Sequence, residues 1–122
     1  MSGKCVVDTS GWLEYLAATD RADLFAEAIG DTENLIVPVV SIYEVFKKTL
    51  QDRSEELAVK AVGAMLHGRV VEIDLTLALE AAKLKLPMAD SIIYATARRY
   101  DATLWTQDLD FRDLPGVRFF SK

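Results

Sequence analysis

Short apolar runs alternate along the chain with stretches in which apolar residues recur every three or four positions. A short run bounded by polar residues or glycine is typical of a buried strand, and the wider spacing is typical of a helix that buries one face. The predicted strands cover residues 5–8, 34–40, 69–74, 102–106 and 117–120. The predicted helices cover residues 9–18, 20–30 with Asp20 as N-cap, 41–50, 54–67, 75–85 and 87–99.

Strands that alternate with helices predict a parallel sheet, because each helix carries the chain back to the starting edge of the next strand. We therefore expect an α/β fold in which helices cover both faces of a mostly parallel sheet of about five strands. The 122 residues show no repeat and no internal boundary, so they predict a single domain spanning 1–122. Ligands of such sheets bind at the carboxyl ends of the strands.

Composition narrows the class of protein. Hydrophobic residues make up 51% of the chain and charged residues 27%, which is typical of a folded domain and not of a disordered segment. The net charge of −5 argues against a protein that coats nucleic acid by bulk attraction. It leaves room for a local basic rim, or for an acidic site neutralised by cations.

The N-terminal sequence MSGK lacks the apolar segment of a signal peptide, and no apolar run approaches the roughly 20 residues that span a bilayer. The single cysteine, Cys5, cannot form an internal disulfide and fits a reducing compartment. These features predict a soluble cytoplasmic protein without a membrane partner.

Four acids occupy comparable places in the predicted fold. Asp8 ends the first strand, Glu44 lies one turn into the helix after the second, Asp90 lies in the first turn of a helix, and Asp108 follows the fourth strand. Such positions share one rim of a parallel sheet, where gathered carboxylates repel each other unless they share a proton or bind a divalent cation. Oxygen ligands favour Mg²⁺ or Mn²⁺, and one histidine with one cysteine gives little support to zinc.

Two of these acids also have purely structural interpretations at helix starts. Asp is favoured as an N-cap, so Asp8 could cap the helix that follows it. Ser41 and Glu44 have the S-x-x-E spacing of a capping box, in which each side chain accepts from the other's backbone N–H.

The remaining acids have structural interpretations as well. Asp90 in a first helical turn gains from the helix dipole, by about 0.3–1 kcal/mol when exposed. Asp108 and Asp110 in TQDLDF could form Asx-turns with their own backbone. The metal hypothesis rests on all the acids being present together.

Four segments resemble the successive motifs of PIN domains, and specifically of VapC-type toxins from prokaryotic toxin–antitoxin pairs. Their order, spacing and total length match the family from about Val6 to Phe120. The segments are VVDTSGWLEYL, SIYEVFKK, LPMADSIIYATARR and LWTQDLDF. The resemblance implies a PIN-like α/β/α sandwich, an Mg²⁺- or Mn²⁺-dependent ribonuclease, a VapB-type antitoxin whose C-terminal segment enters the active site, and a toxin homodimer.

The resemblance also implies roles for individual residues. The family's four acids match Asp8, Glu44, Asp90 and Asp108; of these, we expect Glu44 to act on the attacking water. We expect the other three to hold the metal, partly through water. Residues that match supporting positions around these acids are Thr9, Ser10, Thr106 and Asp110.

RNA must be bound as well as cut. The candidate phosphate-binding residues are Lys47, Lys48, Arg98, Arg99 and Arg112, although for any single one of them solvated surface charge is the more common explanation. Trp12 and Trp105 lie in apolar stripes, which predicts core positions and not base stacking.

The main alternative function is a non-catalytic PIN-like module that binds RNA or protein. It is disfavoured because a binding module has no need to gather repelling charges. A response-regulator receiver is also disfavoured, since it requires paired acids after the first strand and only Asp8 stands there.

Overall fold

The computed structural model describes residues 3–122, so Met1 and Ser2 of the MSGK stretch lie outside the description. The strands in this range are β1 (Cys5–Val7), β2 (Leu35–Pro38), β3 (Arg69–Val71), β4 (Thr103–Thr106) and β5 (Val117–Phe119). They form one five-stranded sheet in the order β3-β2-β1-β4-β5, and every pair of neighbouring strands is parallel. The predicted parallel sheet is confirmed.

The helices alternate with the strands as the apolar spacing predicts. Those of the described residues are α1 (Thr9–Leu16), α2 (Ala22–Gly30), α3 (Val39–Asp52), α4 (Glu55–Met65), α5 (Leu75–Ala82) and α6 (Met88–Arg99). A short 3-10 helix, Leu109–Phe111, lies in the loop between β4 and β5.

Alternate residues of each strand point to opposite faces of the sheet, so the sheet separates two apolar cores. Val7 and Trp105 belong to the core beneath α1 and α2, together with the fully buried Trp12 and Phe25. The opposite core packs α6 against the sheet through Val6, Ile36, Ile93, Tyr94, Ala97 and Leu104. Both tryptophans are therefore core residues, as predicted.

Gly11 allows α1 to approach the sheet and α2 closely. A Cβ atom at this position would lie 2.8 Å from side-chain carbons of both Phe25 and Val7. The close approach matters for the site, because α1 starts directly after β1 and carries Asp8 at its N-cap.

Two details of the predicted helices are wrong. The N-cap of α2 is Arg21, without a side-chain hydrogen bond to the helix, and not Asp20. The Arg21 side chain is instead directed away from α2, to Gln107 and the C-terminal segment. The apolar spacing over 41–50 also predicts that Leu50 is buried with Ile42, Val45 and Phe46, but Leu50 is 44% exposed.

Among residues 3–122, no helix combines the length and the apolar character needed to cross a membrane.

Candidate active site

The four predicted acids lie at the edge of the sheet where the parallel strands end. Asp8 follows β1 directly, and Asp108 lies two residues beyond the end of β4, the strand that pairs with β1. Glu44 is in α3, which follows β2, and Asp90 is in the first turn of α6. Because β1 lies between β2 and β4, the elements that carry these acids converge beside β1.

Asp8 caps a helix and also lies buried at the bottom of the site. Its Oδ1 accepts a 2.9 Å hydrogen bond from the backbone N–H of Gly11, which caps α1. Its Oδ2 accepts a 2.6 Å hydrogen bond from the hydroxyl of Thr106 at the end of β4, and the Ser10 hydroxyl lies 3.3 Å from both oxygens. The capping interpretation is thus correct, and it uses only one of the two carboxylate oxygens.

Burial makes the charge of Asp8 costly. Its side chain is 3% exposed, and desolvation raises its pKa from 3.8 to about 6. The hydrogen bonds from Thr106, Gly11 and Ser10 oppose this rise, and the charge of Asp108 adds to it. A cation near Asp8 would relieve both the desolvation and the repulsion.

Glu44 is connected to α1 and not to the start of its own helix. Its Oε1 accepts a hydrogen bond from the hydroxyl of Thr9. The capping box predicted as an alternative is wrong, because α3 already begins at Val39 after Pro38 and Ser41 lies inside its first turn. The Ser41 hydroxyl is buried and has no hydrogen-bond partner within the described part of the chain.

Asp90 faces the other acids. Its pKa is raised from 3.8 to about 6, first by burial and then by the charges of Asp108, Glu44, Asp110 and Asp8. A position in the first turn of α6 gives it the favourable helix dipole. The dipole does not explain why an acid should lie half-buried against four carboxylates, whereas a bound cation would.

Asp108 and Asp110 complete the site. Asp108 Oδ1 accepts a 2.9 Å hydrogen bond from the backbone N–H of Asp110, the predicted Asx arrangement, and the N–H of Asp108 donates at 2.9 Å to Thr106 Oγ1. One carboxylate oxygen from each of Asp90, Asp108 and Asp110 lies within 4.8 Å of the other two. This is a set of hard oxygen donors that fits Mg²⁺ or Mn²⁺, and it brings Asp110 closer to the centre of the site than its predicted supporting role.

Three of the candidate RNA-binding residues lie within four positions of an acid of the site. Lys47 lies in α3 close after Glu44, and its ammonium is 3.4 Å from the Tyr43 hydroxyl. Lys48 forms a 3.1 Å ion pair with Asp52. Arg112, just beyond the 3-10 helix, is 3.5 Å from the carboxylate of Asp113.

The structure places Arg98 and Arg99 at the opposite end of α6 from Asp90. An α-helix rises 1.5 Å per residue, so roughly 12 Å of helix separates Asp90 from these arginines. Arg99 donates to both oxygens of Asp74, at 2.9 and 3.0 Å, and these hydrogen bonds lower the pKa of Asp74 to about 2. Arg99 therefore joins α6 to the N-cap of α5 and is not brought to the acidic site.

Sequence reasoning missed a polar network behind the site. Gln107, between Thr106 and Asp108, is 5% exposed; its Nε2 donates at 2.8 Å to Glu14, and its Oε1 accepts from Arg21. Nothing in the sequence connects Arg21 with Gln107, because 86 positions separate them. The only local signal was the polar residue placed between two site residues in TQD.

The fold and the clustered carboxylates define an α/β protein with an acidic site suited to a divalent cation. The PIN domain family model matches residues 5–117. The chain belongs to this family. No curated protein sequence is a significant match.

Solved structures with the same fold include several toxin–antitoxin proteins. The toxin–antitoxin complex from Klebsiella pneumoniae is 21% identical, with a TM-score of 0.79 over 94% of this chain and 96% of that one. VapC20 of Mycobacterium tuberculosis, described as a toxin that cleaves the sarcin-ricin loop, is 18% identical, with a TM-score of 0.77 over 93% and 97%. DNA-bound VapBC from Salmonella typhimurium is 16% identical, with a TM-score of 0.77 over 96% of each chain. The predicted resemblance to PIN domains is confirmed by the family model, and the chain shares its fold with solved structures of VapC-type toxins.

Proposed function

We propose that this protein is the toxin of a VapBC-type toxin–antitoxin pair and that it hydrolyses phosphodiester bonds of RNA. The observation that supports this most is the set of carboxylate oxygens from Asp90, Asp108 and Asp110 within 4.8 Å of one another, beside the buried Asp8. A module that only binds RNA or protein has no use for gathered carboxylates, which repel each other.

Asp90, Asp108 and Asp110 would hold a divalent cation, Mg²⁺ or Mn²⁺. Asp8 would add a further negative charge beneath it. A cation held there would neutralise the phosphate and lower the pKa of bound water. The Asp8 carboxylate is held in place for this role, because Gly11 donates to its Oδ1 and Thr106 to its Oδ2. We include Asp110 among the ligands for its distance from Asp90 and Asp108.

Glu44 would orient the attacking water and accept its proton. Its charge contributes to the raised pKa of Asp90, which supports a position close to that carboxylate. The Thr9 hydroxyl holds Oε1 and leaves Oε2 for the water. This assigns Thr9 a positioning role, alongside Ser10 and Thr106 on Asp8.

The proposed partners follow from the site and the fold. RNA would cross the carboxyl edge of the sheet and contact Lys47, Lys48 and Arg112. A VapB-type antitoxin would inhibit the enzyme by inserting its C-terminal segment among the acids, and the toxin would act as a homodimer. An RNA substrate fits the expected cytoplasmic location.

Cleavage of a labelled RNA tests the proposal. Purified protein should cut it with Mn²⁺ or Mg²⁺, EDTA should stop the reaction, and Asp8→Ala should lack activity. Asp23→Asn, at an exposed acid in α2, is the matched control and should cleave at the parent rate. RNA binding without cleavage under any metal would instead favour the non-catalytic module.

A further inference from the structure

A cavity of about 400 Å³ adjoins the acidic site on the side of the C-terminal segment. Ser10 and Asp108 belong both to the acidic site and to the wall of this cavity. The remaining wall includes Leu109, Phe119, Ser121 and Lys122. The cavity is therefore continuous with the place where a phosphodiester would be cut.

The wall combines the groups that bind a nucleotide. Leu109 is 68% exposed, an unusual position for a leucine between two site acids, and Phe119 is half-buried on the edge strand β5. These side chains offer apolar faces to a base, as proteins that bind single-stranded RNA commonly do. Lys122 and the Ser121 hydroxyl supply a cation and a hydrogen-bonding group for a phosphate or a ribose.

The C-terminal part of this wall is held by the rest of the protein. Arg21 Nη2 donates to the carbonyl oxygens of Phe120 and Ser121, at 3.2 Å each, while its Nε donates to Gln107. The Phe120 N–H donates at 2.9 Å to the Thr106 carbonyl. Phe120 and Ser121, the two residues before Lys122, are thus attached to Arg21 and to Thr106, whose hydroxyl oxygen accepts the N–H of Asp108. The backbone that leads to Lys122 is therefore fixed relative to the acids.

We propose that this cavity binds the RNA nucleotide next to the scissile phosphate, with its base against Leu109 and Phe119 and its far phosphate at Lys122. The inference rests on the proposed ribonuclease function and adds a substrate subsite to it. A volume of about 400 Å³ lies in the range of small-molecule sites, about 300–1,000 Å³. The wall of the cavity also contains a cation, Lys122, in addition to the candidate RNA-binding residues Lys47, Lys48 and Arg112.

Steady-state cleavage of a short single-stranded RNA tests the role of Lys122. Lys122→Ala should raise KM about fivefold or more while kcat stays within twofold of the parent, since the contact lies outside the reacting atoms. The slope of log KM against log salt concentration should fall by about 0.7, the value for one lost phosphate contact with a single strand. The control Lys60→Ala, an exposed lysine on α4 paired with Glu56, should change neither quantity.

The base contact is tested separately. Leu109→Ala removes an exposed side chain and should raise KM several-fold without lowering the thermal midpoint. RNA carrying 5-iodouridine beside the cleavage site should photocrosslink within residues 109–122. Crosslinks confined to α3, or a Lys122→Ala protein with the parent's KM and salt slope, would overturn the subsite alone; a parent protein that cuts no RNA would overturn the proposed function and the subsite with it.

Discussion

The hydroxyl of Thr106 donates a 2.6 Å hydrogen bond to Oδ2 of Asp8, across 98 positions of sequence. The same oxygen, Thr106 Oγ1, accepts the backbone N–H of Asp108 at 2.9 Å. One side chain at the end of β4 therefore sets the positions of two acids on neighbouring elements. Parallel pairing of β1 with β4 makes this possible, because it places Val7 opposite Trp105. The residues that follow, Asp8 and Thr106, therefore lie at the same edge of the sheet.

Thr106→Val should impair cleavage more than it impairs folding. The hydrogen bond from Thr106 lowers the pKa of Asp8, so its loss moves that pKa further above about 6 and shifts the acid limb of the pH–rate profile upward. A buried acceptor left without its donor also costs about 1–3 kcal/mol of stability. Thr106→Ser, which keeps the hydroxyl, should restore the parent profile; an unshifted profile in Thr106→Val would contradict the assigned role.

Asp90→Asn should abolish cleavage and stabilise the metal-free protein. The pKa of Asp90 is raised by burial and by four neighbouring carboxylates, so removing its charge relieves repulsion. We expect activity to fall at least about 100-fold, as for loss of an important group around a metal, and the thermal midpoint in EDTA to rise by a few degrees. Asp23→Asn, at an exposed acid outside the site, should alter neither property; an active Asp90→Asn enzyme would remove Asp90 from the metal site.

Much of this site could be predicted from local patterns. Valine-rich runs followed by an acid located Asp8, and TQDLDF located Asp108, because strand ends in a parallel sheet meet at one edge. Prediction failed where two local patterns competed. Ser41 and Glu44 have the spacing of a capping box, yet α3 begins at Val39, since apolar residues after Pro38 fit the end of a strand and the start of a helix equally well.

Long-range polar contacts could not be predicted at all. Arg21 reaches Gln107 and the Phe120 carbonyl because Phe120, just after β5, packs on Phe25 of α2. No sequence spacing carries that information. Likewise, Asp110 is exposed and separated from Asp90 by 20 positions, and only the turn formed by Asp108 brings the two carboxylates together.

Stability of the metal-free protein should fall as pH rises from about 4 to 7. Asp8 has a folded pKa of about 6 against an ordinary 3.8. Well below pH 3.8 its carboxyl is protonated in both states; between about pH 4 and 6 only the unfolded state is mostly ionised, and above pH 6 the folded state must hold a buried charge. The difference amounts to about 3 kcal/mol at neutral pH, and Asp90 acts in the same direction.

Urea unfolding in EDTA at several pH values measures this effect. Asp74, whose pKa is lowered to about 2, has the opposite sign: its contribution is present above its ordinary pKa of 3.8 and is lost only as pH falls towards 2. It therefore does not obscure the window from pH 4 to 7. In Asp8→Asn the decline over that window should be clearly smaller; a decline equal to the parent's would refute the raised pKa.

Arg99→Ala should leave the KM for RNA unchanged, whereas Lys47→Ala should raise it. Arg99 lies at the far end of α6 and is engaged by Asp74 at 2.9 and 3.0 Å, while Lys47 follows Glu44 on α3. Arg99→Ala should lower the stability only slightly, as for exposed surface ion pairs. Equal increases of KM in both variants would show that RNA reaches beyond the acidic edge of the sheet.

Divalent ions should stabilise the protein through the three converging carboxylates. A ligand that binds only the folded state at 100 times its Kd adds about 2.7 kcal/mol to the free energy of unfolding. Mn²⁺ should therefore raise the thermal midpoint of the parent, and Asp110→Asn should reduce this shift because one of the three oxygens within 4.8 Å is lost as an anionic ligand. Asp113→Asn, an exposed acid three residues further along, is the matched control and should keep the full shift. If Asp110→Asn also keeps it while Asp108→Asn loses it, Asp110 lies beside the cation without binding it.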